Sequence, residues 1–101
     1  MDFQEKLSFD PILPGVRLAN YVEGDIELKV VKFDAGAAIP LHRNTANVRH
    51  LVLQGAIKFG DEVFESLGEY QCGGKEYSGM TLRDTIVLVI QPIGTTYQIS
   101  D

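Results

Sequence analysis

The sequence predicts an all-β protein, either a sandwich or a barrel of short strands. Short segments rich in branched and aromatic residues follow one another along the chain, and turns containing glycine separate them. No window carries an apolar stripe of helical period with capping residues. Many short strands with glycine-marked turns are typical of β-sandwiches and barrels. The length, residues 1–101, predicts a single domain.

The clearest strand pattern lies in the first third of the chain. Ile26, Leu28 and Val30 alternate with Glu27 and Lys29, which predicts a strand with one buried face. Other apolar segments predict further strands at residues 48–53, 56–59, 85–91 and 96–99.

Two segments also indicate a turn type or the burial of a strand. Residues 59–63 are typical of a tight hairpin, because Gly60 can take a positive φ. Residues 85–91 are almost continuously apolar, which predicts a strand buried on both faces or in a sandwich core. The segment 96–99 is predicted to be an edge strand.

Charge and cysteine content restrict the partners. A formal net charge of -5 and a pI near 4.9 argue against binding to nucleic acid or an anionic membrane surface. The longest apolar run, residues 86–90, is too short to cross a bilayer. The single cysteine, Cys72, excludes an internal disulfide, and residues 1–9 lack a signal pattern. These features predict a cytoplasmic protein.

Residues 36–55, GAAIPLHRNTANVRHLVLQG, carry the most informative motif. They resemble the first signature of the cupin superfamily, in which a Gly, five residues and His-x-His precede a Glu and an apolar strand ending in Gly. Gly36, His42 and Gly55 keep their places, whereas Asn44 stands at the second His and Val48 at the Glu.

The resemblance extends over roughly residues 9–92 and implies the fold. Within the superfamily the chain is most similar to the ChrR-type group, which includes the zinc-binding cupin domain of bacterial anti-sigma factors. The resemblance also rests on LPGV at 13–16, FDAG at 33–36, GEY at 68–70 and DTIV at 84–87. It implies an all-β RmlC-like cupin, that is, a double-stranded β-helix or jelly-roll barrel.

The resemblance also shows which metal-ligand positions have changed. Cupin metal sites use three His and one Glu pointing into the barrel. Here His42 keeps the first position, Asn44 offers only an amide, and Val48 cannot bind metal. The His of the second motif falls at Tyr77 or at Gly79, depending on how a shortened loop is aligned, and Tyr77 is preferred.

A substitute metal site remains a hypothesis. Strand alternation turns His50 inward, so His42 and His50 could meet in the barrel near Asn44, Tyr77 or Glu76. Two His and a carboxylate can bind a divalent metal such as Zn, Fe, Mn or Ni. The favoured alternative is that His50 is a core histidine hydrogen-bonded to a buried neighbour.

Several nearby residues receive ordinary structural interpretations. Alternation predicts that Arg43 and Arg49 point outward, Arg49 toward the sheet surface or a dimer contact. Cys72 is expected to be a buried thiol. Tyr77 is interpreted either as an acid, hydrogen-bond donor or ligand, or, slightly favoured, as a rim aromatic with its hydroxyl in water. Gly73-Gly74 lacks the residues of a phosphate loop.

The leading functional hypothesis is a metal-poor or metal-free module that binds a small molecule, with a regulatory role and a protein partner if the ChrR resemblance extends to function. His42, Asn44, His50 and Tyr77 would be polar points in an apolar pocket. A homodimer is the default expectation. The alternative is a metal-dependent dioxygenase or isomerase using His42 and His50. Metal-free proton transfer, with His42 as base and Tyr77 as acid, and a purely structural role also remain open.

Overall fold

A computed structural model of the chain describes residues 7–44, 47–72 and 75–99. The described residues form eleven strands and no helix. The strands are β1 (Asp10–Leu13), β2 (Val16–Glu23), β3 (Ile26–Phe33), β4 (Ala38–Asn44), β5 (Arg49–Gln54), β6 (Ala56–Phe59), β7 (Glu62–Glu65), β8 (Glu69–Gln71), β9 (Tyr77–Thr81), β10 (Thr85–Pro92) and β11 (Tyr97–Ile99).

The strands make two antiparallel sheets that enclose one core. The larger sheet has the order β1-β2-β3-β10-β5-β8, and the smaller has the order β11-β4-β9-β6-β7. The all-β prediction is confirmed, and so are the strands expected in the second half of the chain. The strand expected at 48–53 runs from Arg49 to Gln54. The apolar strand β10 is central in the larger sheet, and β11 is an edge strand.

Four almost fully buried residues that do not line the cavity between the sheets form what we call the packed end: Val52, Ile57, Thr81 and Thr85. Val52 and Ile57 are 0% exposed. The threonine hydroxyls bond to the backbone of the turns that close this end. Thr81 Oγ1 donates to Asp34 O at 2.6 Å, and Thr85 Oγ1 donates to Arg83 O at 2.7 Å. The two buried threonine hydroxyls at the packed end therefore have hydrogen-bond partners.

The glycine that ends the first motif has a steric explanation beside the packed end. Gly55 has φ 95°, a conformation that other residues rarely adopt. A Cβ there would overlap the carbonyl oxygen of Asp84 and lie 2.7 Å from Thr85 Cα. The hairpin glycine Gly60 takes φ 59°, as the sequence predicts. The close approach of the β5–β6 corner to β10 therefore requires glycine at position 55.

The buried side of β3 differs from the one that the alternation suggests. Lys29, Val31 and Phe33 share one face and line the space between the sheets. Ile26 and Leu28 consequently lie on the outer face of the larger sheet. The strand is confirmed, but of the three apolar residues in the alternation only Val30 is buried, because β3 carries apolar residues on both faces.

Candidate ligand-binding site

A cavity of about 190 Å³ lies between the two sheets and opens to solvent on one side. Valine, leucine, isoleucine, proline and phenylalanine side chains supply most of its wall. Its polar lining residues are Lys29, His42, Asn44, His50, Tyr77 and Gln91. The structure therefore brings together His42, Asn44, His50 and Tyr77, the four residues that the sequence suggests.

A β-bulge in β4 sets the positions of the first two of these residues. Ile39 pairs with Gly79, whereas His42 pairs with Tyr77, so β4 advances three residues while β9 advances two. Pro40 lies in the bulge, where the missing N–H of proline leaves no ladder hydrogen bond unmade. The bulge thus places His42 directly opposite Tyr77 across the β4–β9 ladder.

A chain of hydrogen bonds crosses from one sheet to the other. Asn44 Nδ2 donates to Tyr77 Oη at 3.0 Å, and Tyr77 Oη lies 3.0 Å from His50 Nε2. His50 Nδ1 lies 3.3 Å from the carbonyl oxygen of Tyr70. Because a carbonyl can only accept, the network assigns the proton to Nδ1, and Nε2 accepts from the tyrosine hydroxyl. Each member of the polar chain, Asn44–Tyr77–His50, therefore has a defined role.

Burial keeps this polar chain uncharged at neutral pH. Desolvation and, more weakly, the neighbouring His42 lower the pKa of His50 from its ordinary value of 6.5 to about 4. The hydrogen bond to Tyr70 opposes this shift. Burial also raises the pKa of the Tyr77 hydroxyl, although the bond from Asn44 lowers it. At pH 7 His50 is therefore a neutral acceptor and Tyr77 a protonated donor.

His42 lies against the polar chain. Its Nδ1 is 2.8 Å from the carbonyl oxygen of Pro40, so Nδ1 carries a proton and donates it. The His42 and Tyr77 ring centroids are 4.2 Å apart with a tilt of 54°. The bulge that turns His42 inward also fixes its tautomer.

The expectation that Tyr77 is a rim aromatic with a water-exposed hydroxyl is wrong. Tyr77 is only 6% exposed, and its hydroxyl bonds to protein on both sides. The alternative position, Gly79, is not part of the cavity wall. A Cβ at Gly79 would lie 3.1 Å from the Phe59 ring and 3.3 Å from Ile39. Tyr77 is thus the β9 residue that reaches the cavity.

The residues expected to be peripheral occupy the expected places. Arg43 pairs with Glu76 at 3.4 Å and Arg49 pairs with Glu69 at 2.6 Å, both on the surface. Glu76 is therefore directed away from the two histidines. Cys72 is a buried thiol that accepts from Val48 N at 3.4 Å. The Gly73-Gly74 pair lies outside the described residues.

The donor set does not fit the metal site that the cupin resemblance implies. Of its four positions, only His42 offers an imidazole. His50 already uses both ring nitrogens in hydrogen bonds. Within residues 7–44, 47–72 and 75–99, no group of three His, Cys, Asp or Glu is arranged to hold a metal ion. Metal binding by His42 and His50 remains a prediction without a carboxylate partner.

Sequence reasoning missed two polar residues of the cavity, Lys29 and Gln91. Gln91 is buried at the end of β10, where its Nε2 donates to Glu27 Oε1 at 2.8 Å. A signal for Lys29 was present in the chain, since it precedes Val31 and Phe33 at intervals of two. The alternation of residues 26–30 suggests instead that Lys29 points outward.

Comparison with known proteins identifies the fold. No family model and no curated protein sequence matches the chain. Among solved structures it resembles a chain of the Rhodobacter sphaeroides complex of SigE with the anti-sigma ChrR, with TM-score 0.78 and 24% identity over 86% of this protein and 49% of that chain. This protein thus spans about half of that relative. An RmlC-like cupin from Shewanella frigidimarina gives TM-score 0.81 and 13% identity over 91% and 88%.

KdgF from a Halomonas species is a third structural neighbour, with TM-score 0.73 and 18% identity over 87% of this protein and 89% of that one. The architecture of this protein is thus the RmlC-like cupin fold, as the sequence motif predicts. Such identities define the fold and leave the function to be argued from the site. None of the segments that the structure describes forms a helix of the length and apolarity needed to traverse a membrane.

Proposed function

We propose that this protein is a metal-free cupin-fold module that binds a small organic molecule between its sheets. The observation that supports this most directly is the polar chain, Asn44–Tyr77–His50, set in the wall of an otherwise apolar cavity. Small-molecule sites typically combine apolar walls with a few fixed polar groups. An engineered apolar cavity of about 150 Å³ holds a benzene ring. A cavity of about 190 Å³ therefore suits a ligand with one ring or a short branched chain.

The hydrogen bonds of His50 support binding without a metal. A metal bridging His42 and His50 would have to take Nε2 of His50 away from the Tyr77 hydroxyl. The buried hydroxyl and the Asn44 amide would then need other partners, and an unsatisfied buried group costs about 1–3 kcal/mol. An organic ligand can leave the polar chain intact and fill the apolar space beside it.

A regulatory role with a protein partner is the favoured cellular use. The likeness to a chain of the SigE–ChrR complex supports it, since that complex contains an anti-sigma protein. In this proposal, occupancy of the cavity alters the affinity for the partner in the cytoplasm. Size-exclusion binding to a sigma factor from the same genome tests it, and equal binding with and without ligand would contradict regulation by the cavity.

We also propose that the protein is a homodimer. The outer face of the larger sheet carries Ile26 and Leu28 on β3 beside Leu88 and Ile90 on β10, its hydrogen-bonded neighbour. Ile26 is 42% exposed. Light scattering of Ile26→Glu should give a monomer if this face joins two copies. A dimer that persists in the variant would place the interface elsewhere.

Thermal unfolding with a library of one-ring compounds tests ligand binding. A ligand that binds only the folded state raises the midpoint with concentration. A Val87→Phe variant serves as the control in which the cavity is filled. Val87 lines the cavity, and a phenyl group at this position would occupy it. Stabilisation in the native protein but not in the variant supports the proposal. Compounds that stabilise both equally do not bind in the cavity.

One observation favours an enzymatic alternative, namely that His42 faces Tyr77 with ring centroids 4.2 Å apart. A base and a donor on one cavity wall are the minimum for proton transfer. The raised pKa of Tyr77, caused by burial, makes it a weak acid and argues for a binding role. Deuterium uptake next to the carbonyl of trial substrates tests the alternative. Deuterium uptake that is lost in His42→Gln would support the enzymatic alternative. Deuterium uptake that persists in this variant would contradict it.

A further inference from the structure

The cavity has an asymmetric charge. Lys29 is the one Lys or Arg that lines it, and no Asp or Glu of the described residues does so. His50 is a neutral acceptor at pH 7, as argued above. A ligand that enters this cavity therefore meets a positively charged side chain in the wall and, among the described residues, no carboxylate in that wall.

Strand register places Lys29 beside the polar chain. Lys29 pairs with Val89 on β10, and Val89 pairs with His50 on β5. These three residues form one row across the larger sheet, and all three line the cavity. Neighbouring strands lie about 4.8 Å apart, so the Lys29 and His50 backbones are separated by about 10 Å. A molecule lying over Val89 would contact the ammonium at one end and the polar chain at the other.

Lys29 takes part in none of the ion pairs found among the described residues. The four ion pairs of the described residues all use arginine. Glu27 is the carboxylate two positions away on the same face of β3. Its two oxygens accept from amides, Oε1 from Gln91 at 2.8 Å and Oε2 from Asn20 at 3.1 Å. No carboxylate of the described residues lies within 4.0 Å of the Lys29 ammonium.

We infer that the ligand is a small organic carboxylate, with its carboxylate on Lys29 and its apolar body over Val89 against the cavity wall. This inference rests on the proposed function and names its ligand class. A carboxylate is favoured over a phosphate, because phosphate sites typically add bidentate arginines or a helix N-terminus to any lysine contact. The cavity wall has no arginine, and the described residues form no helix.

Benzoate and benzamide test the inference as a matched pair, since they share a ring and differ in charge. Their dissociation constants are measured by NMR titration of the native protein, Lys29→Gln and the control Lys58→Gln. Lys58 lies on β6 and is not part of the cavity wall. Benzoate should bind the native protein about tenfold more tightly than benzamide, as expected for one hydrogen bond to a charged group. Lys29→Gln should remove this preference, and Lys58→Gln should retain it.

The outcomes separate the two proposals. If benzamide binds as tightly as benzoate and Lys29→Gln changes neither, the carboxylate inference is wrong while binding in the cavity stands. If benzoate causes no saturable shift of cavity resonances at millimolar concentration, the inference is also wrong. The proposed function itself fails only if the one-ring library gives no ligand that Val87→Phe excludes.

Discussion

In both the packed end and the cavity, strand alternation turns every second side chain inward, but the packed end is closed to solvent and the cavity is open. At the packed end, Val52 and Ile57 interdigitate with no exposed surface, and two threonines satisfy the turn backbone. In the cavity, the inward residues leave about 190 Å³ unfilled, and polar side chains stand in the wall.

This contrast indicates that the packed end contributes mainly to stability and the cavity mainly to ligand binding. Packing to full density stabilises the packed end, because each buried methylene contributes hydrophobic and dispersion energy. The cavity gives up part of that stabilisation to leave room for a ligand. Substitutions at the packed end should therefore lower the free energy of unfolding, whereas cavity substitutions should act through protonation, hydrogen bonding and ligand affinity.

The largest effect is expected at the packed end. Ile57→Ala should lower the free energy of unfolding by about 3 kcal/mol, because it removes a fully buried side chain and leaves a void. Urea denaturation measures the change. Ile93→Ala is the matched control, since Ile93 is 54% exposed and should lose less than about 0.5 kcal/mol. Equal losses in the two variants would contradict the packing contrast.

The next effect comes from the neutral histidine of the cavity. The pKa of His50 is about 4 in the folded protein and about 6.5 when unfolded. Between these values the unfolded chain binds the extra proton, so stability is full above pH 6.5 and falls as pH decreases toward 4. Between pH 7 and pH 5 the loss due to His50 should be about 2 kcal/mol.

His50→Gln isolates that loss. The other titratable groups are the same in both proteins, so their contributions largely cancel in the comparison of the native protein with the variant. The native protein should lose about 2 kcal/mol more than His50→Gln between pH 7 and pH 5. Parallel pH profiles would show that His50 is solvated enough to protonate normally in the folded state.

A smaller effect is expected from the hydroxyl that joins the two sheets. Tyr77→Phe removes the acceptor of Asn44 and the donor to His50 while retaining the ring. The free energy of unfolding should fall by about 1 kcal/mol, because water entering the open cavity can satisfy part of what is lost. A loss as large as that of Ile57→Ala would mean that the polar chain contributes as much to stability as the packed end and would contradict this contrast.

The smallest effect is expected on the surface. Arg49→Gln breaks the ion pair with Glu69, and both side chains are in solvent. Exposed ion pairs contribute little, because water and salt screen them. The thermal midpoint should not change measurably at physiological salt. A clear decrease that persists in high salt would indicate that Arg49 contributes packing as well as charge.

The fold and the inward positions of the first motif were predictable from local information. The spacing of Gly36, His42 and Gly55 marks the cupin fold, and period-2 alternation suffices to turn Asn44 and His50 inward and Arg43 outward. The inward positions need only the strand geometry of one segment, whereas the fold follows from the resemblance of the motif to the cupin superfamily. They hold because a strand with one buried face has a defined register.

The interactions that decide the chemistry were not predictable, because they join different sheets. The partner of the Tyr77 hydroxyl is His50, a residue on the opposite sheet. The sequence does not reveal this contact, so a tyrosine next to a loop is interpreted as an aromatic residue at the rim of the barrel. The inward position of Lys29 was missed because both faces of β3 carry apolar residues. Only the packing of β3 against the other sheet decides which of the two faces is inside.

The most direct test of the metal-free site is the side-chain nitrogen spectrum of the two histidines, recorded by long-range proton–nitrogen NMR at pH 7 before and after one equivalent of zinc. We expect His50 to be neutral, protonated at Nδ1 and hydrogen-bonded at Nε2, and zinc to leave this signal unchanged. Movement of His50 Nε2 and His42 together to metal-bound shifts at one equivalent would contradict the account and establish a two-histidine metal site.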